Sequence, residues 1–190
     1  MKKPQTRKDE NTMIILVTGG SGSGKSSFAE EAVRNLGEHR RFYIATMQCF
    51  DEETRQRILR HRRMRRDKHF ETIEQPVNLG QCVLPVPGVA LLECISNLVA
   101  NEMYSPNGYG KDHDPNQIPA YILEGIRHLA GQCKHLVIVS NEVASDGIGY
   151  DTSTMEYIRV MGIINAGLAR MADEAYEVVY GIPIPLKSNR

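Results

Sequence analysis

One octapeptide narrows the possible folds of this chain more than any other stretch. Residues 19–26 read Gly-Gly-Ser-Gly-Ser-Gly-Lys-Ser, the spacing Gly-x-x-x-x-Gly-Lys-Ser. The run before it, Met13-Ile-Ile-Leu-Val-Thr18, is short, β-branched and continuously apolar, as a strand buried on both faces must be. Ser26 to Leu36 follows with Phe28, Ala32, Val33 and Leu36 at helical spacing and Gly37 as a stop. A buried strand, a glycine-rich turn and a helix together make a phosphate cradle. Gly19, Gly20, Gly22 and Gly24, with Ser21 and Ser23 between them, let successive backbone N–H groups turn inward on phosphate oxygens at the positive end of a helix. In that arrangement Lys25 reaches the β- and γ-phosphates and the Ser26 hydroxyl is a ligand for Mg²⁺.

The remaining chain alternates between short apolar runs and amphipathic stretches. Strands are expected at Phe42–Ala45, Gly88–Glu93, His135–Ser140, Tyr176–Tyr180 and Ile182–Lys187, with prolines confining the last to an edge. Helices are expected from Asp51 to about Arg66, after Glu93 with Ile95, Leu98, Val99 and Met103 apolar, near 118–132, and over 153–172. Residues 104–116 hold too much Gly, Pro and Asn for regular structure and read as a loop or lid with few apolar anchors. This order predicts an α/β fold of the P-loop NTPase-like three-layer type: a mostly parallel sheet with an antiparallel edge strand. Ligands of such sheets bind beyond the carboxyl ends of the strands. Residues 1–12 are read as a flexible tail and 13–190 as one nucleotide-binding catalytic domain.

Charge and cysteine usage exclude several classes. Twenty-three Lys and Arg balance twenty-three Asp and Glu, so no global field draws the chain to nucleic acid or membrane. No apolar run approaches the roughly 18 residues of a membrane span, and the polar start is no signal peptide, which points to the cytoplasm. Cys49, Cys82, Cys94 and Cys133 form no Cys-x-x-Cys pair and read as reduced, buried thiols. Locally, however, eight Lys and Arg residues lie between Arg55 and Lys68 and surround His61. They outnumber nearby acids and suit an anion, for which a bound triphosphate is a more economical candidate than nucleic acid. Guanidinium neighbours favour the neutral imidazole, so His61 could attack a phosphate and form a phosphoramidate. A carboxylate for Mg²⁺ should end a neighbouring strand, and both Glu93 and Glu142 do.

Read together, these segments resemble the bifunctional adenosylcobinamide kinase / adenosylcobinamide-phosphate guanylyltransferase family of cobalamin biosynthesis. The likeness runs in order through Ile15-Leu-Val-Thr-Gly-Gly-Ser-Gly-Ser-Gly-Lys-Ser26, Tyr43-Ile-Ala-Thr46, Arg57-Ile-Leu-Arg-His-Arg62 and Thr72-Ile-Glu-Gln-Pro76. It continues through Leu91-Leu-Glu-Cys-Ile95 and Val137-Ile-Val-Ser-Asn-Glu-Val143 to the ending Gly181-Ile-Pro-Ile-Pro-Leu-Lys187. The resemblance implies two reactions, phosphorylation of adenosylcobinamide by ATP or GTP and transfer of GMP from GTP to adenosylcobinamide phosphate through a guanylylated histidine. By the same resemblance that histidine is His61. Arg62, Arg63, Met64 and Arg65, then Ala45, Thr46 and Met47, and the acids Glu74 and Glu93, fall on the family's nucleotide-contacting positions, with Glu93 also beside the metal. A homo-oligomer, a trimer, is implied as well. Where the family carries Pro and Trp after its histidine, this chain has Arg66 and Phe70. Two rival readings differ in class: a small-molecule kinase with His61 as bystander, and a nucleotide switch that consumes no acceptor.

Overall fold

A computed structural model describes residues 12–48, 52, 56, 69–143 and 149–188. The expected tail falls outside these except for Thr12, whose hydroxyl donates to the Cys133 carbonyl at 3.4 Å. Seven strands form one sheet in the order β3-β2-β4-β5-β1-β6-β7. They are β1 (Met13–Thr18), β2 (Arg41–Ala45), β3 (Phe70–Glu74), β4 (Val89–Glu93), β5 (His135–Val139), β6 (Glu174–Val179) and β7 (Ile182–Lys187). All neighbours pair in parallel except β6 and β7, which are antiparallel. The expected α/β fold with a mostly parallel sheet and an antiparallel edge is therefore observed.

The continuous apolar runs have a direct physical reason, since each central strand is buried on both faces. On one face Ile15, Val17, Tyr43, Val89, Leu91, Val137 and Val139 pack with Ala29 and Val33 of α1 (Lys25–Asn35). On the other, Leu16, Phe42, Ile44, Ala90, Leu92, Leu136 and Ile138 meet helices α2 (Ile95–Tyr104), α3 (Ile118–Ala130) and α4 (Thr152–Met171). Successive residues alternate between the two cores, the two-residue period of a strand. Helix α4 starts on a capping aspartate, Asp151, whose carboxylate accepts from the N–H groups of Ser153 and Thr154.

Two elements differ from expectation. Strand β3 was not anticipated because its sequence, Phe-Glu-Thr-Ile-Glu, is largely exposed and carries no apolar run. It is an edge strand, held by its parallel pairing to β2. The stretch 104–116 contains two single 3-10 turns, Tyr109–Lys111 and the start of Pro115–Gln117, and it is anchored rather than loose. The Tyr109 ring is sandwiched between His113 and Tyr121, with centroids 4.0 and 4.1 Å away. Of the expected helix from Asp51, Glu52 and Gln56 are helical and joined by a side-chain hydrogen bond of 2.7 Å; the rest lies outside the described residues.

Two of the thiols are as read: Cys82 and Cys133 are free of disulfides and buried, and burial pushes the Cys133 thiol up to about 12, whereas Cys94 is free but only half-buried. Cys49 lies outside the described residues. Because the sheet centre is packed on both sides, its stability should depend on individual side chains. Ile138→Ala, at a position with no exposure, should cost about 2–5 kcal/mol in denaturant unfolding. Ile184→Ala on exposed β7 should cost less than about 1 kcal/mol. Equal losses at the two positions would contradict this packing.

Candidate functional site: a phosphate loop at the carboxyl edge of the sheet

Parallel register brings residues far apart in sequence to one level. Glu74 pairs with Ala45, Ala45 with Glu93, Glu93 with Val139, Val139 with Val17, and Val17 with Tyr176. This row crosses the carboxyl ends of β3, β2, β4, β5 and β1 and meets β6 near its middle, and the glycine loop begins at Gly19, directly after β1. Register partners on parallel strands point to the same face. Val17, Val139 and Ala45 pack on the α1 side, so Glu93 and Glu74 also face α1.

The loop itself is tightly braced. Gly19 has φ 149°, and a Cβ there would lie 2.5 Å from the Val178 carbonyl oxygen, so only glycine fits. The N–H of Glu142 donates to the Gly19 carbonyl at 3.2 Å, and that of Ser23 to Gly20 at 3.3 Å. Ser21, Gly20 and Gly22 are exposed, whereas Ser23 Oγ is buried without a partner among the described residues. Helix α1 opens on Gly24 in the left-handed region, with no capping side chain and no acid in its first turn. Its first N–H groups are thus left for a ligand, and the dipole favours an anion.

Lys25 and Ser26 occupy the first turn of α1. The Lys25 ammonium donates to the Gly20 carbonyl at 2.9 Å, and the residue is only 9 % exposed, so it lies over the loop and not in open solvent. Burial lowers its pKa, while the nearby Cys94 and Glu93 act in the opposite sense. Ser26 Oγ donates to Glu93 Oε1 at 2.5 Å. Of the two candidate carboxylates, Glu93 is therefore the one that reaches Ser26; Glu142 is exposed and braces the loop through its backbone.

Thr46 takes a different position from a simple ligand contact. It has no exposure, and its hydroxyl donates to the Cys94 carbonyl at 2.8 Å while accepting from the Cys94 N–H at 2.7 Å. It clamps the peptide that carries Glu93. Ala45 and Met47 flank it, half-buried, and Glu74 is exposed at the end of β3. His61, Arg62, Arg63, Met64 and Arg65 lie outside the described residues. The chain enters their segment beyond Gln48, past the carboxyl end of β2, and emerges at His69, just before β3.

Two buried polar residues that hold the loops beside the site were missed in the sequence. Asn101, 6 % exposed, donates from Nδ2 to the Thr46 carbonyl at 2.7 Å and to the Pro76 carbonyl at 2.9 Å. Glu102, 1 % exposed, accepts from the N–H groups of Asn78 and Tyr109 at 2.5 and 2.8 Å, and desolvation raises its pKa. A signal existed: both stand three and four residues after Leu98, on the apolar stripe of α2 where polar residues demand partners. Among the described residues no cluster of three or more His, Cys, Asp or Glu could hold a metal, and no helix is long and apolar enough to cross a membrane.

Comparisons with known proteins bear on the fold and the family. A solved structure from a structural project on Pyrococcus horikoshii OT3 shares the fold at TM-score 0.52 and 8 % identity, covering 94 % of this chain and 87 % of that one. The bifunctional adenosylcobalamin biosynthesis protein CobU of Escherichia coli K12 is 33 % identical over 187 residues, covering 92 % of this chain and all of the relative. CobU of Salmonella typhimurium LT2 is likewise 33 % identical over 187 residues, with the same coverage. CobP of Pseudomonas aeruginosa PAO1 is 28 % identical over 185 residues, covering 92 % of this chain and 98 % of the relative. The family model described as cobinamide kinase / cobinamide phosphate guanyltransferase matches residues 15–186, from within β1 almost to the end of β7. The chain is accordingly a transferase and belongs to the cobinamide kinase / cobinamide phosphate guanyltransferase family.

Proposed function

We propose that this chain phosphorylates the aminopropanol hydroxyl of adenosylcobinamide and then transfers GMP from GTP to the product through a guanylylated His61. The observation that carries this reading is the hydrogen bond of 2.5 Å between Ser26 and Glu93, formed across the sheet edge directly beside Lys25. A loop that only bound phosphate would not need a carboxylate at that point. A phosphoryl-transfer site needs one, because it must hold a divalent cation against the phosphates.

The residues present fit Mg²⁺. Ser26 Oγ and Glu93 Oε1 are hard oxygen donors already converging on one point. The buried, unpartnered Ser23 Oγ suits an acceptor-rich phosphate beside them. When bound, the ion would neutralise charge on the phosphate oxygens. Lys25 supplies a partly desolvated cation to the same oxygens, where low dielectric strengthens its attraction. In the kinase step the substrate hydroxyl oxygen bonds to the γ-phosphorus and releases its proton to water, and the bond from that phosphorus to the β-bridging oxygen breaks, so that the nucleoside diphosphate leaves. In the second reaction an imidazole nitrogen of His61 bonds to the α-phosphorus and pyrophosphate leaves. A phosphate oxygen of adenosylcobinamide phosphate then displaces the histidine, giving adenosylcobinamide-GDP. Arg62, Arg63 and Arg65 would hold the phosphate oxygens during this exchange, and Ala45, Met47 and Glu74 would line the nucleotide with them. Assembly as a homo-oligomer, a trimer in the family's manner, belongs to the same proposal.

Lys25→Ala should lower kinase turnover by about 100-fold or more, the usual loss when one preorganised charge donor is removed. Glu93→Gln should raise the Mg²⁺ concentration needed for half-maximal rate while leaving the unfolding midpoint near that of the wild type. Near-normal turnover in both variants would place the chemistry elsewhere. His61→Ala should abolish covalent labelling by α-³²P-GTP and transfer of GMP, yet leave phosphorylation of the cobinamide intact. The wild-type label should be acid-labile and base-stable, as a phosphoramidate is, and absent when γ-³²P-GTP is used. An alanine variant that still takes up the α-phosphate would remove His61 from the mechanism.

A further inference from the structure

The register between β2 and β4 runs from Arg41 and Val89 to Ala45 and Glu93, and there both strands end. One step further the ladder would set Thr46 opposite Cys94. The ladder stops, yet its pairing goes on, because Thr46 takes it over with its side chain. The Thr46 N–H donates to the Glu93 carbonyl at 3.2 Å. Its hydroxyl accepts from the Cys94 N–H at 2.7 Å and donates to the Cys94 carbonyl at 2.8 Å. The backbone polar groups that follow the Glu93 Cα, up to the carbonyl of Cys94, are thus all held by one residue.

Thr46 keeps nothing for a ligand. Its own carbonyl accepts from Asn101 Nδ2 at 2.7 Å, and the residue has no exposure. Ala45 and Met47 on either side are half-buried and stay partly open, while Thr46 turns inward to the end of β4. The chemistry demanded at position 46 is narrow. One atom must both donate and accept within reach of a neighbouring backbone, which a hydroxyl does and an alkyl group does not. Branching at Cβ adds to this by restricting χ1. What the clamp steadies is the base of a carboxylate side chain. Glu93 Oε1 accepts from Ser26 Oγ at 2.5 Å, and only side-chain torsions separate that oxygen from the clamped backbone.

We propose that Thr46 is a positioning residue for Mg²⁺: by fixing the backbone at Glu93 and Cys94 it holds the Glu93 carboxylate where Ser26 meets it. The inference rests on the reading of Ser26 and Glu93 as Mg²⁺ donors given above. It also separates Thr46 from Ala45 and Met47, whose part is the nucleotide. Thr46 touches neither the ion nor the phosphates, so its loss reaches the metal only through Glu93. Groups that orient a metal ligand without touching the metal are typically worth about 10–100-fold in affinity.

Equilibrium binding to the full chain tests this without turnover. The probes are Mn²⁺, an oxygen-seeking stand-in for Mg²⁺, and α,β-methylene-GTP, an analogue whose α–β bridge His61 cannot open. Mn²⁺ is titrated against chain saturated with the analogue, and the free ion is followed by its paramagnetic signal. Thr46→Val keeps the shape and loses the hydroxyl; it should raise the Mn²⁺ dissociation constant about tenfold. Thr46→Ser should restore the wild-type value. Affinity for the analogue in EDTA should be the same in all three proteins, which neither a lost nucleotide contact nor a damaged site would allow. In a Glu93→Gln background Thr46→Val should add nothing, because the carboxylate it positions is gone. If the valine variant does not fold, Thr46→Ala must show the same rise. Wild-type Mn²⁺ affinity without the hydroxyl, an equal loss of the analogue in EDTA, or a further loss in the double variant overturns the positioning role and leaves Glu93 as a donor. A Glu93→Gln variant with wild-type Mn²⁺ affinity overturns the Mg²⁺ reading and this inference with it.

Discussion

Parallel register is the constraint on which the site depends. Pairing of β2 with β4, β4 with β5 and β5 with β1 sets Ala45, Glu93, Val139 and Val17 on one level. Slipping any of these strands by one residue would exchange its two buried faces, and for β4 it would turn Glu93 away from α1. The register is strongly specified because both faces of the central strands are apolar and fully packed. The 2.5 Å approach of Ser26 to Glu93, 67 residues apart, is thus a consequence of core packing in a sheet that neither residue helps to fill.

A second layer of order holds the loops that follow the strands. Asn101 joins the end of β2 to the stretch after β3, and Glu102 joins Asn78 to the turn at Tyr109. Tyr121 of α3 completes the set by donating to the Asn78 side chain at 2.7 Å. Helix α2 therefore does for the backbone of these loops what a strand ladder does elsewhere: it satisfies buried polar groups where no regular pairing is available. Thr46 connects the two layers, because its carbonyl is held by Asn101 while its hydroxyl grips Cys94 beside Glu93.

How much of this was legible follows from the range of each interaction. The phosphate loop and its flanks are local, and so were the doubly buried strands and the proline-bearing edge at β7. The residue that meets Ser26 was not local, and Glu93 and Glu142 looked equivalent because both end apolar strands. Only the fold shows that Glu93 turns its carboxylate to Ser26 while Glu142 offers its backbone to Gly19. Strand β3 escaped notice because its stability comes from pairing with β2 and not from its own hydrophobicity. The anchoring of residues 104–116 was hidden for a related reason. Its glycines and prolines were plain in the sequence, but the partners of Tyr109 are a histidine within the stretch and a tyrosine on the next helix.

The edge of the sheet carries one last consequence. Strand β7 leaves Ile182, Ile184 and Leu186 exposed, a pattern that on an open edge would invite another chain to pair and extend the ladder. Pro183 and Pro185 stand between them and have no N–H to offer a passing strand. The same prolines that end the hydrogen bonding of the fold therefore act as a guard against cross-chain β-aggregation. They let an apolar border persist at concentrations where an unprotected one would gather into filaments.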